Sequence, residues 1–572
     1  MISRVYGLGS VFGKTLRDSS RVAIGLGLLV GFLNVITAAT IADQFDTAAD
    51  RALFAAQMEA LPAIFQGLIG EPINILTLPG FISWRLIGFL PIMIGFYSIV
   101  ALTGTLAGEA ASGTLELILS TPVSRVRLAL QKYGAHAVAI AVLIALVAII
   151  TWVGNAVFAT LPEDNLSILD AFGEFGLVAL LSLLAGSVGC ALAPLLGRGV
   201  AAGVAATYLF GSYAVNGFAD LVPGFDILRL GSMFHWTEHH RPMAGVYDWP
   251  AVAVVLGLVV VLGAIGIVLF QRRDLAATLS IGGRLQRPSV GAPESSGRLP
   301  MRVVRRAWRL IGSASVGRWS LLGPGLRSLG ERLPAALAWG LGLGLYGFAI
   351  ALSADQFSAS ITSVPQIAEM IRQFYPDIDF SSAGGILQLA IFGFVALVAG
   401  AATSTLVTGW ASDERERRLE VVLSTPIKRV SWFVRGALGL LVAVFAIGVV
   451  IGLAAGLGAA LAGDPALAVV TGGLVIGLYA VALAGVGVLV FGLGWPQFAG
   501  GAVAGVTVAF YLIDLIGGIL RLPDYITDLA LTRHLGEPMA GSYDWPGMAL
   551  CVGGVVVGVV VGASRFARRD LG

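Results

Sequence analysis

The sequence is poor in charge. Asp, Glu, Lys and Arg make up 12% of its 572 residues, about half the share of a soluble globular chain. A body of this size could not cover a water-facing surface with so few charges, so a string of soluble domains is excluded. Cysteine is scarce: Cys190 and Cys551 both lie in apolar stretches, which excludes a disulfide framework and a Cys/His metal module. Lysine is nearly absent, with 3 Lys against 33 Arg. The 76 Gly follow no three-residue period, so collagen is excluded. No Ala-x-Ala site follows the first apolar run, from about Val22 to Ile41, so that run reads as a span and not as a cleaved leader. Nothing points to nucleic acid as a partner.

What the chain has in abundance is apolar sequence, at 57%, with a mean hydropathy of +0.88. A bilayer needs ~20 apolar residues per helix. Twelve such runs are present, near 22–42, 86–107, 134–159, 174–195, 199–218 and 250–270, then 334–353, 386–409, 434–462, 467–492, 497–520 and 547–564. They are continuous and do not alternate with period two, which excludes a barrel. The expectation is an all-α polytopic membrane protein with twelve transmembrane helices. Basic residues orient it. With the N-terminus in the cytoplasm, 29 of the 36 Lys and Arg fall in cytoplasmic segments and 7 outside. Both termini are therefore expected in the cytoplasm.

Two strings recur. Leu115-Glu116-Leu117-Ile118-Leu119-Ser120-Thr121-Pro122 after the second run returns as Leu419-Glu420-Val421-Val422-Leu423-Ser424-Thr425-Pro426 after the eighth. Pro242-Met243-Ala244-Gly245, with Tyr247-Asp248-Trp249-Pro250, returns as Pro538-Met539-Ala540-Gly541, with Tyr543-Asp544-Trp545-Pro546. Matches in the same order imply a duplication of six spans. Six is even, so the halves share one orientation as parallel six-helix repeats about an axis along the membrane normal. The expected units are 1–275, with an N-terminal elbow helix, and 317–572. Between them lies a cytoplasmic Arg-, Pro-, Ser- and Gly-rich linker, 276–316. The linker residues Met301–Ile311 read either as a short basic helix on the inner leaflet or as a solvated tether.

The repeated segment carries acids seven apart, Glu109 and Glu116, then Asp413 and Glu420. Seven residues return to nearly the same helix face. Pro122 and Pro426 end the helix, and basic residues follow, among them Arg125 and Arg429. Each half thus presents a short helix with an acidic face. It reads either as a surface loop or as a docking helix for a cytoplasmic partner.

This LE-x-x-LSTP string between the second and third spans resembles the type-2 ATP-binding-cassette (ABC) exporter permeases. The stripe Val5, Leu8, Phe12 and Leu16 before the first span resembles their elbow helix. The likeness covers both halves and is similar to the fused twelve-span form associated with antibiotic and multidrug efflux. It implies that the segment couples to a separate cytoplasmic ABC ATPase, one copy per half, through Glu109, Glu116, Arg125, Asp413, Glu420 and Arg429. It implies no catalytic residue, metal or cofactor in this chain, with ATP and Mg held by the partner. It also implies that the second and fifth spans of each half line a central path for hydrophobic or amphipathic small molecules. That path would contain Phe96, Tyr97, Tyr208, Tyr213, Asn216, Phe392, Phe394, Phe510, Tyr511 and Asp514. The second copy departs from the first by the denser run Asp413-Glu414-Arg415-Glu416-Arg417-Arg418.

Gly7-Leu8-Gly9-Ser10-Val11-Phe12-Gly13-Lys14-Thr15 is the nearest thing to a phosphate loop. Its glycines stand three or five residues before Gly-Lys where the motif needs four. Intramembrane carboxylates are expected in a proton-coupled secondary transporter, the alternative reading; Asp514 qualifies and Glu174 stands at the margin. His136 is expected at the interface, and His235, His239 and His240 form an unrepeated trio.

Overall fold

The computed structural model describes all residues except 1–9, 60–69, 88–89, 112–113, 121–122, 218, 220–224, 273–321, 364–381, 416–417, 520–522 and 570–572. The linker 276–316, Val5, Leu8 and the first Thr-Pro step therefore lie outside the described residues.

The described chain is helical almost throughout. Its long helices are α1 (Val11–Gln44), α2 (Leu90–Thr103), α3 (Arg125–Phe158), α4 (Ile168–Leu196), α5 (Arg198–Gly217), α6 (Trp249–Arg272), α7 (Pro324–Leu352), α8 (Ala383–Arg415), α9 (Arg429–Ala462), α10 (Ala466–Gly492), α11 (Ala499–Ile519) and α12 (Trp545–Arg568). Ten stretches, all but α5 and α11, are long and apolar enough to cross a membrane. The chain is a multi-pass membrane protein.

Side chains at the helix starts explain where they begin. Ser10 Oγ accepts from Gly13 N at 3.0 Å, and Ser124 Oγ accepts from Arg127 N at 3.2 Å. Each satisfies an amide that the helix itself leaves open. α1 therefore begins eleven residues before the apolar run, with Phe12 and Leu16 continuous with the span and not on a separate elbow. The Tyr-Asp-Trp-Pro strings do the same work before α6 and α12. Asp248 Oδ1 accepts from Ala251 N at 3.0 Å and Asp544 Oδ1 from Gly547 N at 3.2 Å. Just before them, Pro242–Ala244 and Pro538–Ala540 form single 3-10 turns. Both turns end on a left-handed glycine, Gly245 (φ 80°) and Gly541 (φ 89°).

The packing order is alike in the two parts of the chain. α1 pairs with α3, α2 with α4, α4 with α6 and α2 with α5; α7 pairs with α9, α8 with α10, α10 with α12 and α8 with α11. α5 against α7 joins the two sets. There Thr207 Oγ1 donates to Ala338 O at 2.8 Å, and a Cβ on Gly203 would sit 2.6 Å from that of Ala338. Two small residues let the backbones meet.

Candidate functional site

Two regions hold the residues singled out above. The first is the segment after α2 and after α8. α2 does not run straight into it: Gly104–Gly108 forms a π turn, followed by helical pieces at Glu109–Ala111 and Thr114–Leu119. The π turn widens the helix by one residue, a device common at functional positions. The Arg198 guanidinium, from the start of α5, packs against Gly104 and Gly108, where an added Cβ would stand 3.3 and 3.6 Å from it. In the second part, α8 runs through to Arg415, and a six-residue helix follows at Arg418–Leu423. Thr425 Oγ1 donates to Val422 O at 2.5 Å and closes that helix before Pro426.

The leading acids face the bundle. Glu109 Oε2 lies 2.6 Å from Lys132 Nζ, whose side chain is 2% exposed. Lys132 also donates to Thr105 O at 3.3 Å, inside the π turn. Asp413 Oδ2 lies 3.8 Å from Arg332 Nη2, and Arg332 also donates to Gly409 O at 3.2 Å and Ser328 O at 3.0 Å. Glu420, by contrast, is exposed. The acids thus divide: Glu109 and Asp413 bind the segment to the bundle, while Glu420 faces outward. The side chain of Glu116 lies outside the described set; its backbone belongs to the helix Thr114–Leu119. Arg125 and Arg429 reach the end of the last helix of their own half. Arg125 Nη1 donates to Gln271 O at 3.4 Å and Arg429 Nη1 to Arg569 O at 2.6 Å. Arg569 in turn pairs with Glu414. The denser charge run is therefore partly absorbed by a bridge from α8 to the end of α12.

The second region is the seam between α5 and α7. Phe96 lies 5.0 Å from Phe210 and stacks on Trp339 at 5.4 Å. Phe210 meets Phe394 at 5.4 Å, Phe394 meets Tyr346 at 6.2 Å, and Tyr346 meets Tyr213 at 6.0 Å. Phe96, Tyr213 and Phe394 are thus brought together in one run of neighbouring rings. Trp339 and Tyr346 were missed by the sequence reading. They stand seven apart on α7, the spacing that could have found them. Phe392 is buried and Phe510 half-buried against the same core. Tyr97 points elsewhere: its hydroxyl donates to Ser19 O at 2.8 Å and its ring is 5.3 Å from His136. Tyr208 donates to Gly231 O at 3.1 Å, and the Asn216 Oδ1 is buried without a hydrogen-bond partner among the described residues. Tyr511 lies within Coulombic reach of Arg85.

Asp514 accepts from Thr532 Oγ1 and lies 3.7 Å from Arg533 Nε. Glu174 is fully buried and accepts from Ser83 Oγ and, at 2.8 Å, from Met243 N. His136 packs inside the bundle. It is buried, with Nε2 3.0 Å from Ser98 Oγ, because α2 and α4 cover this turn of α3. In the loop before α6, His240 Nδ1 accepts from Asp248 N at 3.0 Å. Burial holds this imidazole below its ordinary value, against the pull of Asp248.

Residues 10–275 match the family model described as ABC-2 family transporter protein. Residues 331–567 match the C-terminal domain of the multidrug efflux system permease Rv1217c. No curated protein matches the chain. The two matches meet the acid-bearing segment and the aromatic seam from both sides of the linker, and the chain belongs to the ABC-2 type multidrug efflux permeases.

Proposed function

We propose that this permease exports hydrophobic or amphipathic compounds along a path between its two halves, driven by two copies of a separate ATPase. In this reading the chain has twelve spans in two parallel six-helix repeats, 1–275 and 317–572, joined by 276–316, with both termini in the cytoplasm. The recurrence of the same helix pairs on both sides of the linker supports it. ATP and Mg belong to the partner.

One observation carries the mechanism: each leading acid is bonded to a buried cation of the bundle. A partner pushing on the exposed Glu420 would load the short helix and α8. Through Asp413 and Arg332 that load reaches α7. Trp339 stands seven residues beyond Arg332, about 10 Å along the helix, and its ring stacks on Phe96. Moving α7 would part the rings. A path lined by such rings suits apolar cargo, since a charge left unpaired there costs several kcal/mol. A proton-coupled mechanism would need a carboxylate free to load and unload in the membrane. Asp514 is instead bonded to Thr532, and Glu174 to Ser83 and the Met243 amide.

The test uses Glu116→Ala with Glu420→Ala. Losing a charge-assisted contact costs roughly 1.5–3 kcal/mol, so capture of the ATPase should fall at least tenfold while the melting temperature of the permease is unchanged. Full export by this double variant would reject the docking assignment. Export driven by a proton gradient without ATP would reject the energy source.

A further inference from the structure

A cavity of about 180 Å³ lies in the second half, where the start of α7, the end of α8, the short helix Arg418–Leu423 and the start of α9 meet. Its apolar wall is Leu419, Val422 and Ile427. Its aromatic wall is Trp410 and Trp432, with rings 6.1 Å apart and within 9° of parallel. Its charged wall is Arg327, Glu331 and Asp413.

The charges constrain what fits. Arg327 Nε donates to Glu331 Oε1 at 2.8 Å. Arg332, nearly buried behind the wall, lies 3.3 Å from Glu331 and 3.8 Å from Asp413. Among the described residues, two carboxylates and two guanidinium groups balance at the site. A lone anion would meet Glu331 and Asp413; a lone cation would meet Arg327. A ligand carrying both signs meets an opposite charge at each end. A cation over a Trp face gains a further attraction. Size decides next. Drug-sized ligands occupy roughly 300–1,000 Å³, so this cavity is too small for cargo. It has the volume of about six waters at their ~30 Å³ share, which suits a headgroup.

We propose that this cavity binds the headgroup of a zwitterionic aminophospholipid. The phosphate lies on Arg327. The ammonium lies between Glu331, Asp413 and the Trp faces, and the glycerol end runs along Val422 and Ile427. A soluble zwitterion would have no use for that apolar wall. The lipid ties the start of α7 to the segment that carries Glu420. Binding is independent of the proposed transport cycle; only an effect on coupling rests on that reading.

The experiment compares retention of phosphatidylethanolamine with phosphatidylglycerol, which lacks the ammonium, by native mass spectrometry of the purified full chain. Wild type is expected to retain phosphatidylethanolamine about tenfold better, equivalent to about 1.4 kcal/mol. Glu331→Gln, at a half-exposed position, should lose that preference and keep phosphatidylglycerol. Arg327→Gln should lose both lipids. Val422→Phe, which fills the cavity and leaves the charges, should lose retention, with its melting temperature checked alongside. Equal retention of the two lipids by wild type overturns the proposal. So does unchanged retention in Glu331→Gln and Val422→Phe. If glycerophosphoethanolamine binds in the cavity but the intact lipid does not, the lipid source is overturned.

Discussion

The third helices of the two halves are held to their neighbours by different chemistry. In the first half, polar side chains cross between elements. Asn34 Nδ2 donates to Thr151 Oγ1 at 2.6 Å, His136 meets Ser98, Lys132 meets Glu109, and Asn155 Nδ2 donates to Asp164 O at 2.6 Å. In the second half, 304 residues on, Lys132, His136, Thr151 and Asn155 are replaced by Gly436, Leu440, Ala455 and Ala459. There the backbones close up on glycine. A Cβ on Gly448 would stand 2.3 Å from Gly477 N, and one on Gly473 2.3 Å from Gly452 Cα. Both solutions answer one problem. Lipid gives helices no hydrophobic drive to associate, so they pair through hydrogen bonds or close packing. The two differ in tolerance: a hydrogen-bonded pair can exchange partners as helices shift, whereas interlocked backbones have room for one arrangement.

The largest effect should come from the loop end of the polar side. Arg51 and Asp164 are buried and bonded to each other. Burial alone would raise the Asp164 carboxyl. Hydrogen bonds from Arg51 and from the amides of Leu78, Leu161 and Thr160 outweigh it and hold the group below its ordinary value. Arg51→Ala leaves that charge without its cation and should cost about 3–5 kcal/mol, read as a drop in melting temperature. The sign of the pH dependence follows. A carboxyl lowered by folding contributes stability above the ordinary carboxylate range, and that contribution is lost as pH falls through the lowered value. Wild type should therefore lose stability on acidification, and Arg51→Ala should lose less.

Next comes the glycine side. Ala gains up to ~1 kcal/mol over Gly in a helix. At Gly27, where the added Cβ would stand 3.0 Å from Leu143 O, that gain should roughly cancel a small displacement. At Gly448 no backbone can give way, and Gly448→Ala should cost about 3 kcal/mol. Equal melting temperatures for the two variants would show that the second half is no tighter than the first.

Much of this was legible in the sequence. Ten of the twelve apolar runs fall on helices long and apolar enough to cross a membrane, because a long apolar stretch has one stable form in lipid. Their ends were less legible. α1 starts at Val11 because Ser10 caps it, and the charged turn with Lys14, Arg17 and Asp18 is helical all the same. The acid pairs were legible as residues but not as roles. Seven-residue spacing puts Asp413 and Glu420 on one face of a helix; in the structure Asp413, in the last turn of α8, is turned to Arg332, while Glu420 is exposed. No local signal links Lys132 to Glu109, or Arg198 to Gly104 some ninety residues earlier. These pairings exist only once the bundle has formed.

The coupling acids offer a third, smaller contrast. Glu109→Ala leaves the buried Lys132 with the carbonyl of Thr105 and should cost about 2 kcal/mol. Asp413→Ala should cost about 1 kcal/mol, because Arg332 keeps Glu331, Ser328 and Gly409. Thermal unfolding of the two variants side by side gives the ranking. A larger loss for Asp413→Ala would mean that the second segment hangs on its weaker-looking ion pair.

The smallest effect is the sharpest test of the comparison. Thr151→Val keeps the shape of the side chain and removes the acceptor for Asn34. Interhelical hydrogen bonds in membranes average ~0.6 kcal/mol and reach ~1.7. This one is short, at 2.6 Å, and Asn34 is fully buried, so about 1 kcal/mol is expected. A cycle with Asn34→Leu separates the bond from packing: if the contact is what counts, the double variant should lose less than the two single variants together. The mirror experiment is Ala455→Thr, which puts a hydroxyl where Thr151 would stand. Gly347 faces Ala455, with its built Cβ 3.1 Å away, so the larger side chain has no polar partner there and little room. It should destabilise by more than Thr151→Val. If the hydroxyl were instead tolerated at 455 and dispensable at 151, the two halves would be held by the same forces, and the difference in their sequences would have to be sought in the path and not in the packing.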